Sequence, residues 1–179
     1  MKNSPTSTFL LGLWLGGSVV VLGVVGYNFA GIDPIFEVNP KLAEQAGFDS
    51  SDDNAKKTSA LWVFASELNR AFFRYWNPVQ LGLGVLTLLV VLIRVPRPLS
   101  LVTLLLSIAI VAALLLVLEP KLVELGRSID FVSRVPELPP ALVEFQRMHR
   151  IYSGLEVAKG VLLLVALFSL LRGYPAKGK

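Results

Sequence analysis

Four apolar runs of about 20 residues each limit what this chain can become. They cover residues 9–31, 72–95, 99–118 and 152–171. A helix rises about 1.5 Å per residue, so roughly 20 apolar residues cross the ~30 Å hydrocarbon core of a bilayer. In lipid every backbone N–H and C=O must be satisfied within the segment, and a helix does this alone. Composition agrees. Of 179 residues, 54% are hydrophobic and 17% are charged, against about a quarter charged in an average soluble domain. The expected fold is all-α. It is a single polytopic membrane domain over residues 1–179, built as a four-helix bundle.

The first run follows Lys2 and sits where a secretory signal would. Its apolar stretch exceeds the roughly 7–15 residues of a signal core, and no small-x-small cleavage site follows. It is expected to stay as a span. The chain has no cysteine, which excludes disulfides, thiolate metal sites and thiol nucleophiles. With one histidine, His149, the three or four ligands of a metal site are not in view, and no metal or cofactor is expected. The net charge of +4 invites a nucleic-acid reading. The basic residues are dispersed, however, and several flank apolar runs as membrane topology requires. No aromatic-plus-basic recognition motif accompanies them, so the expected partner is the lipid bilayer and not nucleic acid.

Charge also orients the chain. The N-terminus, the "RVPRP" turn and the "RGYPAKGK" tail carry Lys2, Arg94, Arg97, Arg172, Lys177 and Lys179, and no acid. Every Asp and Glu outside the fourth run lies in the other two connections, residues 33–76 and 119–151. Short basic loops stay cytoplasmic. Both termini are therefore expected in the cytoplasm, in the inner membrane of a bacterial cell.

The two outward segments are expected to be helical as well. Leu61, Phe64, Ala65, Leu68 and Phe72 form a helical stripe, with Thr58 or Ser59 as a cap and Pro78 as a kink or a point of entry into lipid. Leu122, Leu125, Ile129 and Val132 repeat the pattern beyond the third run, after a Glu119-Pro120 kink. The last helix is expected to start after "ELPP" and to run from about Ala141 to Leu171. The bundle would then extend beyond the bilayer on its non-cytoplasmic side. Residues 47–59 are polar and turn-rich, and read as an exposed loop.

The last helix poses the functional question. Between Lys159 and Arg172 only about 18 Å of helix remain, too little to cross a bilayer. The span must reach back to about Tyr152, which places Glu156 and Lys159 at hydrocarbon depth, where a charge costs a few kcal/mol. His149, Tyr152, Glu156 and Lys159 recur at intervals of 3, 4 and 3, so they share one helical face. Asn28, Asn77, Gln80 and Glu119 fall in the same outward half of the other runs. The eight are candidates for a polar pocket. The competing reading is structural: Lys159 reaches towards an interface with Glu156 as its partner, and His149 is a surface residue.

Two packing signals complete the reading. Gly12, Gly16, Gly23, Gly26 and Ala30 place small residues along one face of the first helix. Such a face lets backbones approach closely, either inside the bundle or between two copies of the chain. Trp14, Trp62, Trp76, Tyr75 and Tyr174 read as interfacial anchors.

The chain resembles the four-helix membrane proteins grouped with transmembrane protein 205, a domain of unknown function. The resemblance rests on "LWLGG" in the first run, "IDPIF" and "NPKL" beyond it, "NRAFFRYWN" leading into the second, and "FQRMHRIYSGLE" opening the last helix. It covers nearly the whole chain. It implies a multi-pass membrane protein with no established reaction, so no catalytic residue carries over. The expectation is a protein acting by binding or assembly, as a homo-oligomer or a subunit of a membrane complex. The alternative is a carrier or enzyme-like pocket for a small ligand, built on the polar stripe.

Overall fold

A computed structural model describes residues 5–30, 41, 54–94, 96–130 and 139–172. Those residues are all but entirely helical. Helix α1 covers Pro5–Ala30, α2 Asn54–Arg94 and α3 Pro98–Ala113. A π-helical turn, Leu114–Leu118, joins α3 to α4, Glu119–Ile129, and α5 covers Pro140–Leu171. Prolines open α3 and α5 in their first turn, where the missing N–H has no helical partner to lose.

Four stretches are long and apolar enough to cross a membrane: Pro5–Ala30, Leu61–Arg94, Pro98–Ile129 and Pro140–Leu171. They pack as a closed ring, α1 against α2, α2 against α3, α3 against α5, and α5 against α1. The core holds Leu11, Trp14, Val91, Leu104, Val111, Leu163, Ala166 and Leu170. The outward faces are apolar as well. Phe9, Val19, Leu89, Leu105, Val161 and Phe168 are all exposed. Water would penalise so continuous an apolar exterior, and lipid does not. The protein is an integral membrane four-helix bundle.

Helices α1 and α2 dock through two reciprocal close approaches. The Trp14 ring lies over Gly84, and the Trp76 ring lies over Gly17. A Cβ on Gly84 would sit 2.8 Å from the Trp14 ring. The small-residue face is elsewhere. A Cβ at Gly12, Gly16, Gly23 or Gly26 would meet nothing within 4 Å, and Ala30 is exposed. That face looks away from the bundle, while α1 turns Ser7, Leu10, Leu11, Trp14 and Ser18 inward.

Several boundaries differ from the sequence reading. Helix α2 begins at Asn54, inside the expected loop 47–59 and ahead of Thr58 and Ser59; residues 47–53 lie outside the described residues. Helix α2 runs through Pro78, whose lipid-facing side is exposed. The expected kink at Glu119-Pro120 is instead a π turn just before it. Pro120 has no N–H for the preceding turn, and the Glu119 N–H reaches back five residues to the Leu114 carbonyl. Val132, Gly31, Val95, Tyr174, Lys2, Lys177, Lys179 and the segments "IDPIF" and, apart from Lys41, "NPKL" lie outside the described residues.

Candidate functional site

Helix α5 turns Tyr152, Glu156, Lys159, Leu163, Ala166 and Leu170 into the bundle. These recur every three or four residues, so the polar stripe and an apolar core stripe are one face. Lys159 is fully buried and Glu156 is 5% exposed. Helix α2 presents Asn69, Asn77, Gln80, Gly84, Thr87 and Val91 from its own inner face. Of these, Asn77 and Gln80 meet the polar residues of α5.

Gln80 is the knot of the network. Its Oε1 accepts from Trp14 Nε1 at 3.2 Å, from Ser18 Oγ at 3.3 Å and from Lys159 Nζ. Lys159 Nζ also donates to Glu156 Oε2 at 2.6 Å. Gln80 Nε2 donates to Asn77 Oδ1 at 3.1 Å. Asn77 Nδ2 donates to Glu119 Oε2 at 2.6 Å and to the Tyr152 hydroxyl at 3.1 Å. A continuous hydrogen-bonded line thus runs Glu119, Asn77, Gln80, Lys159, Glu156. Its ionisable members are two carboxyl groups and one ammonium, so one carboxyl exceeds the cation. Glu156 Oε1 is buried and has no hydrogen-bond partner among the described residues. Burying a polar oxygen unpaired is costly, and intramembrane acids of this kind are functional candidates.

The Glu119 end of the line opens on a cavity of about 110 Å³. Glu119, Tyr152, His149, Asn69 and Arg70 supply its polar wall; Val25, Phe29, Phe73, Leu122, Val123 and Phe145 supply the apolar wall. The Phe73 ring meets Tyr152 edge-on at 5.3 Å, and His149 stacks on Phe145 at 5.8 Å. A second cavity of about 150 Å³ adjoins it, sharing Phe29, Ser66, Arg70 and Phe145. Between the cavities Arg70 is held by Asp130, through two bonds of 2.8 Å, and by Glu67 at 2.7 Å.

Of the eight candidate residues, the structure joins Tyr152, Glu156, Lys159, Asn77, Gln80 and Glu119 in one network. His149 lies at the cavity wall, outside that network. Asn28 is engaged elsewhere, donating to Asn69 Oδ1 at 2.7 Å. Asn69 in turn donates to the Val25 carbonyl, tying α1 to α2. The sequence reading passed over Asn69, Ser18 and the Arg70–Asp130 pair. Ser18 had a signal, one turn after Trp14 in an apolar run. Trp14 itself is no interfacial anchor: it is fully buried and its indole N–H serves Gln80. A buried tryptophan needs such a partner. Trp76 packs against the core, Trp62 lies 4.9 Å from Phe29, and Tyr75 is 74% exposed. No cluster of metal-ligating side chains occurs among the described residues.

Fold and site together define an integral membrane bundle with a polar line buried at its centre. No protein-family model, curated protein or solved structure matches the chain.

Proposed function

We propose that this membrane protein binds a small amphiphilic molecule in the cavity at the Glu119 end of the polar line, without covalent chemistry. One observation carries the reading. The cavity wall and the buried Glu156–Lys159 pair are parts of the same hydrogen-bonded line, so an occupant at Glu119 is felt at Lys159. Purely structural polar pairs have no need of an open cavity at one end. Ser66 lines both cavities, and Ser66→Trp would fill them. The test is mass spectrometry of the full chain extracted from its own membranes in mild detergent. The wild type should carry a small-molecule mass that Ser66→Trp lacks. Identical spectra for the two would defeat the reading.

The same proposal places both termini in the cytoplasm and the cavity on the outer side, in a bacterial inner membrane. Arg94, Arg97 and Arg172 support this orientation. They lie at the bundle end that also receives the start of α1, and Arg97 donates to the Ser169 carbonyl there. Membership of the family of transmembrane protein 205 is part of the proposal and rests on the motifs quoted above. A cysteine-accessibility map of Lys2→Cys and Ser128→Cys would reverse the orientation if Lys2→Cys alone were labelled from outside.

Assembly is the second reading, favoured by the outward small-residue face of α1. Gly16→Cys and Gly23→Cys should crosslink to a second copy in membranes. A strictly monomeric chain with no crosslink would remove this reading and leave the first untouched.

A further inference from the structure

We propose that the cavity beside Glu119 takes the ammonium head of an amphiphilic amine. The inference rests on the binding reading above and names the chemistry of its ligand. Four titratable side chains line the cavity: Arg70, Glu119, His149 and Tyr152, the last a neutral phenol bonded to Asn77. Arg70 is already matched by the bidentate Asp130 and by Glu67. Glu119 has no cationic partner among the described residues; its hydrogen bond comes from the neutral amide of Asn77. The cavity therefore presents one unmatched carboxyl in a mostly apolar wall. Such a group favours a cation and repels an anionic head.

The rest of the wall agrees. Phe29, Phe73 and Phe145 face the same space, and aromatic faces attract ammonium groups, more strongly when water is excluded. A cavity of about 110 Å³ is smaller than the ~150 Å³ void that holds benzene. It admits a head group and not a whole amphiphile. The adjoining cavity, walled by Trp62, Ile129 and Leu142 among others, is placed to receive the apolar body. The ammonium can belong to a free amine or to a lipid head group; the recognition chemistry is the same.

Calorimetry of the full chain in maltoside micelles tests this with hexyltrimethylammonium, hexyl sulfate and hexanol. The expected result is saturable binding of the ammonium probe alone. Glu119→Gln keeps an acceptor for Asn77 and removes the charge; it should weaken binding at least ten-fold. His149→Lys places a cation at an exposed position of the wall and should weaken it similarly. Added phosphatidylethanolamine that competes, where phosphatidylglycerol does not, identifies a lipid as the source. Absence of competition identifies a free amine; either supports the proposal. Equal binding of the sulfate or the alcohol, or full affinity in both variants, overturns the ammonium assignment and leaves the binding site standing. Failure of all three probes, together with identical small-molecule spectra for wild type and Ser66→Trp, overturns both.

Discussion

Lys159 Nζ lies 2.6 Å from Glu156 Oε2, one turn earlier on α5, and both side chains are sealed from solvent. Gln80 ties the pair to α2 and, through Trp14 and Ser18, to α1. Removing one member of a buried pair strands the other charge, a loss of about 3–5 kcal/mol, whereas replacing both with apolar groups is often neutral. Lys159→Met should therefore destabilise the bundle by roughly that amount. Lys159→Met with Glu156→Leu should recover most of it. Unfolding titrations in mixed micelles would read both. A double variant no more stable than the single one would show that the pair is not the energetic unit.

The two tryptophan–glycine contacts give a second expectation. Gly17→Leu and Gly84→Leu drive a side chain into Trp76 and Trp14 respectively. Overpacking of this kind costs about 1–3 kcal/mol. Gly16→Ala, one residue from Gly17, adds its methyl to open space and should shift stability by less than about 0.5 kcal/mol. Equal effects at Gly16 and Gly17 would contradict the way α1 is docked.

Arg70 and Asp130 hold α4 against α2 at the cavity end, with side chains only 12% and 10% exposed. Asp130→Asn should cost about 1.5–3 kcal/mol, the range for hydrogen bonds to charged groups. The exposed pair Lys121–Glu144 should behave differently. Lys121→Ala should cost much less than Asp130→Asn, and the small effect should fade at high salt. Thermal melts at two ionic strengths separate the two cases.

Trp14→Phe keeps the ring in the core and removes the donor to Gln80. A lost hydrogen bond of this type costs about 0.5–1.5 kcal/mol. In a chain whose other two tryptophans are replaced by phenylalanine, Trp14 fluorescence should resist aqueous quenchers. Ready quenching by iodide would return Trp14 to the membrane surface.

Much of this arrangement was legible in the sequence. Spacing alone put Tyr152, Glu156 and Lys159 on one face, and the cost of charge at that depth turned the face inward. Polar residues in other apolar runs named Asn77, Gln80 and Glu119 as partners. What the sequence left open or hid has physical causes. Spacing says which residues share a face, not where the face points. Gly12, Gly16, Gly23 and Gly26 do share one, but Leu11, Trp14 and Ser18 won the inward side through packing and the bond to Gln80. Asn69 sits in a polar-looking stretch where one more asparagine carries no signal. The π turn lies in the all-apolar run Leu114–Leu118, which offers no polar residue to mark a broken period.

That turn has a consequence for how the chain tolerates insertions and deletions. A π turn accommodates one residue more than a regular helix would, so α3 and α4 are wound about 100° out of step. Glu119 points at Asn77 only because of that slip. Deleting one residue between Leu114 and Leu118 would absorb the slip, and the helix would run straight with Glu119 still facing the polar line. A regular helix through all five residues would instead carry Glu119 about 100° away from Asn77 and lose the contact. The cavity's one unmatched charge is thus set by a count of residues, like the timing of a screw thread.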